Sequence, residues 1–255
     1  MLVFDRLVLG VAAIVAVAAM LLVGSPARGA SVTKEAIAGD GVLGDFTGSV
    51  TYTYTAGDTA DLAIFLKNVS DPANGGYLTG FVFNIGADHV SAKLNPNPTE
   101  IDYNDRDGLG LPKHGFFYDV GTHASASPYG TFEAGAALSK GKPGKNGVPP
   151  LGEFLGSGKP QYGIGVGESA TFHFKVTGAS DVLDDLTAMA FLREMSGHGD
   201  YSASFIARFR GFRNCGSDKT PGYSAIPLPP GAWSGCALFG LLMVRGIKRW
   251  HGAVA

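Results

Sequence analysis

Phe46-Thr-Gly-Ser-Val50-Thr-Tyr52-Thr-Tyr54 decides the fold class. Val50, Tyr52 and Tyr54 fall on one side of an extended chain and Thr51 and Thr53 on the other, because successive side chains of a strand point to opposite faces. The same period of two recurs at 61–69, where Ile64 and Leu66 oppose Phe65, and at 79–85, where Phe81, Phe83 and Ile85 align. Further strands are predicted at 115–120, 169–177, 187–193 and 202–212. Gly, Pro, Asp or Asn stands between most of these runs, as turns require. About seven or eight strands without a strong helical run predict an all-β chain, an antiparallel β-sandwich of jelly-roll or immunoglobulin-like type. A short helix is read at 131–138, with Gly135 against it.

Composition agrees with strands and turns. Glycine supplies 38 residues and charged side chains only 16%, while Thr, Tyr, Phe and Val suit a pleated surface. A net charge of −2 gives no electrostatic reason to expect a nucleic-acid partner. The interval 95–167 is poor in strand pattern. Its Gly-Lys-Pro-Gly-Lys-Asn-Gly-Val-Pro-Pro at 141–150 excludes regular structure, so 139–160 reads as a Gly/Pro-rich loop. Lys140, Lys142, Lys145 and Lys159 could there meet an anionic polysaccharide, although charged loop faces are usually just solvated.

The two ends carry the address. One cation at Arg6, an apolar run over 7–23 and a small-residue exit over 24–30 have the layout of a secretory signal, residues 1–29, for signal peptidase. The alternative is an uncleaved anchor, since the run is slightly long for a signal. At the other end, Pro227, Leu228, Pro229 and Pro230 form a spacer that continues neither helix nor ladder. An uncharged apolar run follows at 232–244, then Arg245, Lys248 and Arg249. With those cations snorkelling to the headgroups, this segment predicts a transmembrane helix with its basic end cytoplasmic. Residues 30–213 are thus the exported domain, 214–226 a linker and 227–255 the tail.

This tail resembles the PEP-CTERM class of sorting signals, in its Pro-Leu-Pro variant. The stretches at 66–70, 78–85, 172–178, 207–212 and 216–219 are similar to exported domains that carry such tails. The resemblance implies recognition by an exosortase, a membrane-anchored intermediate, and release or transfer to the surface of a Gram-negative bacterium that makes exopolysaccharide. It implies a structural or adhesion role in that matrix.

Motifs for catalysis are sparse. Gly39-Asp-Gly-Val-Leu-Gly44 matches a dinucleotide fingerprint by letter, but it precedes a strand and no helix pattern follows. It reads as a turn. The acidic stretch 102–108 fails the register of an EF-type loop, leaving Asp102, Asp105 and Asp107 as candidates for a looser calcium site. His89, His114, His123, His173, His198 and His251 show no metal-ligand spacing. The Asp184-Asp185 pair reads as a turn, and Cys215 as a free thiol or an interchain partner. No cofactor is expected. The chain therefore reads as a non-enzymatic surface protein. The alternatives are a carbohydrate-binding module, which needs exposed aromatics, and a glycan-active hydrolase, which needs two close carboxylates.

Overall fold

A computed structural model describes residues 31–103, 113–139, 151–155 and 158–224. Its strands are β1 (Ser31–Gly39), β2 (Phe46–Tyr54), β3 (Thr59–Asn68), β4 (Gly75–Phe83), β5 (Ser91–Leu94), β6 (Thr99–Tyr103), β7 (Lys113–Asp119), β8 (Ala124–Ser125), β9 (Thr131–Phe132), β10 (Ala134–Leu138), β11 (Ser169–Thr177), β12 (Phe205–Phe212) and β13 (Ser217–Ser224). Eleven of them join in one antiparallel sheet, ordered β5-β11-β3-β2-β1-β13-β12-β4-β10-β7-β6, and β8 pairs with β9 alone. The sheet curls into a nearly closed barrel. Its two edge strands are consecutive in the chain, so residues 95–98 step across the seam. Hydrogen bonds join the seam as well. Leu94 N–H donates to Asp119 Oδ2 at 2.8 Å, and Asp119 N–H donates to Asn97 Oδ1 at 3.1 Å.

The all-β, antiparallel expectation stands. Division into two facing sheets does not appear, because the ladder runs unbroken from β5 to β6. Strands β2 and β11 match the predicted bounds, and β3, β4, β7 and β12 lie within a few residues of theirs. Their alternation fills the interior with Phe46, Tyr52, Phe81, Phe83, Phe172, Phe174, Phe205 and Phe209, all essentially unexposed. Phe81 sits at the centre, with ring centroids 4.8 Å from Phe172, 5.6 Å from Phe205 and 6.1 Å from Phe174.

Three expectations are corrected. Residues 187–193 are not a strand; Ala188–Leu192 is a 3-10 turn that follows helix α1 (Ser180–Asp185) across one end of the barrel. Leu183, Phe191 and Leu192 are buried there as a plug, and a short apolar run cannot be assigned by periodicity alone. The plug is tied down by Tyr52 Oη–H donating to Leu183 O at 2.6 Å and Ala188 N–H donating to Thr33 Oγ1 at 2.7 Å. The helix read at 131–138 is instead β9 and β10. Every residue of β10 is buried, so it lacks the polar alternation of a half-solvated strand. The supposed linker 214–226 contains β13, hydrogen-bonded to β1 on one side and β12 on the other.

A second, smaller core lies outside the barrel. Val82, Ala137 and Ile206 face outward and are covered by Ala126, Phe132 and Phe154, so the β8–β9 hairpin lies against the outer wall. Among the described residues no helix is long and apolar enough to cross a membrane. The segments for which such helices are expected, 1–29 and 227–255, lie outside the described residues.

Candidate functional site

Next to this outer core, β12 and β13 build a patch of cations and tyrosines. In β12, Phe205, Ala207 and Phe209 point into the barrel, which places Ile206, Arg208 and Arg210 outside. The register sets Lys219 directly across from Arg208, and Pro221 across from Ile206. Thr220 is buried inward, its hydroxyl donating to Gly44 O at 2.7 Å. Alternation therefore turns Lys219 and Tyr223 outward. On the other flank of β12, Arg208 faces Gly80 of β4, where a Cβ would come within 2.7 Å of the Ala137 Cβ. The wall beside the arginine is backbone.

The cations crowd one another. Burial pulls the Arg208 guanidinium below its ordinary pKa, with Arg210 adding to the effect. Burial likewise lowers Arg210, and lowers Lys219 with help from Arg208. Among the described residues no carboxylate stands at ion-pair distance from Arg208 or Lys219. The Arg208 Nε is buried without a hydrogen-bond partner. Lys219 Nζ donates to Ser127 O, and Arg210 Nη2 donates to Gly158 O at 3.3 Å.

Tyrosines border the cations. Tyr129 packs on the outer core, two residues from the carbonyl that Lys219 holds. Its ring meets Tyr201 edge-on, centroids 5.9 Å apart. Burial raises the Tyr129 phenol above its usual pKa, and Tyr223, Asp218 and Tyr201 add to the shift. Tyr201 and Tyr223 are 54% and 53% exposed. The patch thus offers neutral ring faces beside Arg208 and Lys219, which have no carboxylate at ion-pair distance among the described residues. Such a surface can stack a flat apolar face and hold a carboxylate or sulfate.

The sequence candidates fare differently. Pro227, Leu228, Pro229, Pro230, Arg245, Lys248 and Arg249 lie outside the described residues, as do Asp105, Asp107, Lys140, Lys142 and Lys145. Asp102 is on β6, its backbone opposite His114. Among the described residues no group of His, Cys, Asp and Glu is placed to hold a metal. His89, His123, His173 and His198 are exposed. Gly39–Gly44 joins β1 to β2 as a turn, and Asp184-Asp185 ends α1 in place of the expected turn. Cys215 is an exposed free thiol. Lys159 lies with its Nζ 6.0 Å from the Tyr162 ring centre, beside a hollow of about 280 Å³ also lined by Phe116 and Tyr118. Tyr52 and Tyr54 are core residues. Glu133 and Glu194 repel each other enough to raise Glu194 beyond its burial effect, while Glu133 Oε2 accepts the Ile85 N–H at 2.7 Å.

Sequence reading missed the patch because its members come from a strand, a supposed linker and two loops. The available signal was the outward pair Arg208 and Arg210 alternating with Phe209. Comparison with protein-family models, with curated proteins and with solved structures finds no match to this chain.

Proposed function

We propose that this chain is an exported cell-surface protein, cut at its proline motif by an exosortase after signal peptidase has removed residues 1–29. Its β-domain serves the exopolysaccharide or biofilm matrix in a structural or adhesive role, without catalysis. The observation that carries this reading is the order of the tail: Pro227 to Pro230, an apolar run, then Arg245, Lys248 and Arg249.

The position of the chain ends supports it. Strand β13 ends at Ser224, between β1 and β12, three residues before Pro227. The antiparallel pairing of β1 with β13 sets Ser224 level with Ile37, near the end of β1, so the sheet itself runs to within three residues of the proline motif. A protease can cut at the motif without opening the sheet.

Intact mass and terminal peptides of the protein from its native host test the reading. A surface form ending near residues 227–231, beside a membrane form that retains Trp250, is the expected result. A tail that persists to Ala255 in every fraction refutes it.

A further inference from the structure

We propose that the outer patch of Arg208, Lys219, Tyr129, Tyr201 and Tyr223 binds an acidic polysaccharide through its uronate residues. The inference is independent of the sorting tail, since it uses only residues of the folded wall.

Two cations from neighbouring strands are held face to face by the Arg208–Lys219 pairing. Placing like charges directly across a ladder is unfavourable, and withdrawing them from water costs more. Among the described residues no carboxylate stands at ion-pair distance from either cation, and the neighbouring Asp218 carboxylate accepts the Leu43 and Gly44 N–H groups instead. An anion set between them would relieve both costs.

The neighbouring rings fix the class of anion. Tyr201 and Tyr223 are half exposed, and Tyr129 is held edge-on to Tyr201. Lys219 and Tyr223 are four residues apart on one strand face, a span of about 13 Å. An inorganic ion would use the cations and ignore the rings. A chain of acidic sugars uses both, carboxylates on Arg208 and Lys219 and the apolar faces of its rings on the tyrosines. The net charge of −2 attracts neither a polyphosphate nor a polyuronate at long range, so the choice rests on the short-range fit. One cross-strand pair of cations beside tyrosines seats a few acidic sugars and does not form the continuous basic track that a nucleic-acid backbone follows.

The test is calorimetric titration of the full chain in detergent with a short oligogalacturonate, repeated across a salt series. The same oligomer with its carboxyls reduced to alcohols, inorganic sulfate, and a single-stranded oligonucleotide of similar charge serve as comparison probes. The uronate is expected to bind and to weaken with salt, and the reduced oligomer to bind at least about tenfold more weakly, one charge-assisted hydrogen bond being worth about that factor or more. Lys219→Gln, at a half-buried position, and Tyr201→Ala, at an exposed one, should each weaken uronate binding about tenfold while the unfolding midpoint shows that the fold is kept. Arg208→Gln should weaken it further and Arg208→Lys recover part of the loss. Undetectable uronate binding, equal binding of the reduced oligomer, tighter binding of the oligonucleotide, sulfate binding as tight as uronate, or wild-type affinity in both Lys219→Gln and Tyr201→Ala would each overturn the proposal.

Discussion

Replacing Tyr52 by Phe should destabilise the domain at neutral pH and stabilise it, relative to wild type, in strong alkali. Tyr52 is fully buried and its hydroxyl donates to Leu183 O at 2.6 Å, the bond that seats α1 over the barrel end. Removing the hydroxyl leaves a buried carbonyl without its donor, at a cost of about 1–2 kcal/mol. Burial, with Tyr54 adding, pushes the Tyr52 phenol from 10.0 to about 12. Its raised pKa contributes stability that is fully present below pH 10 and lost as pH rises toward 12, because the unfolded chain ionises first. At about 1.4 kcal/mol per pH unit, the wild type loses about 2.7 kcal/mol across that window from this group. The variant carries no such group, and every other titrating side chain is common to both proteins. The two stability curves should therefore cross near pH 11, about where the accumulated loss equals the neutral-pH deficit. Urea unfolding followed by circular dichroism from pH 7 to pH 11.5 measures both curves. A difference that stays constant through this range would refute the coupling of plug and phenol.

Three further substitutions probe other parts of the structure. Phe81→Ala empties the centre of the aromatic core, where three rings lie within 6.1 Å, and should cost about 3–5 kcal/mol in chemical denaturation. Asn68 is buried; its amide donates to Gly76 O and Ile164 O while its carbonyl accepts the Ser70 N–H, so Asn68→Ala should cost about 2–4 kcal/mol through the backbone groups left unpaired. Gly197 has φ +86 and would place a Cβ 1.9 Å from Tyr201 O and 2.9 Å from Tyr129 O. Gly197→Ala should lower stability by about 1–3 kcal/mol and change the near-ultraviolet tyrosine signal, since it forces apart the loops that carry the Tyr129–Tyr201 pair.

Which strands were legible follows from how each is solvated. In β2 and β3 one face is buried and the other is open or half open, so burial writes an alternation that can be read directly. Strand β10 is buried on both faces and spelled in small residues, Ala-Gly-Ala-Ala-Leu, which leaves nothing to alternate. At the opposite extreme, β1 has Ile37 as its sole fully buried residue and β13 only Thr220 and Gly222. Their places are set by partners on either side and by small residues that admit the large ones. A Cβ at Gly222 would lie 3.0 Å from Ile37, Phe205 and Phe46 at once. The strand fits there because glycine leaves that volume to the rings of its neighbours, a property of the assembled sheet and not of the local sequence.

The outer patch was hidden for a related reason. Arg208 and Lys219 are eleven positions apart, and only the register of β12 on β13 makes them neighbours. That register is fixed by the inward faces: Phe205, Ala207 and Phe209 must enter the core, and Thr220 must reach Gly44. Slipping β13 by one residue would turn Lys219 inward and Thr220 out, since the side-chain period of a strand is two. The packing that closes the barrel is therefore also what holds the two cations together on its outside. A surface change such as Lys219→Gln should alter the patch without altering the register, whereas a change at Thr220 or Gly222 should disturb both.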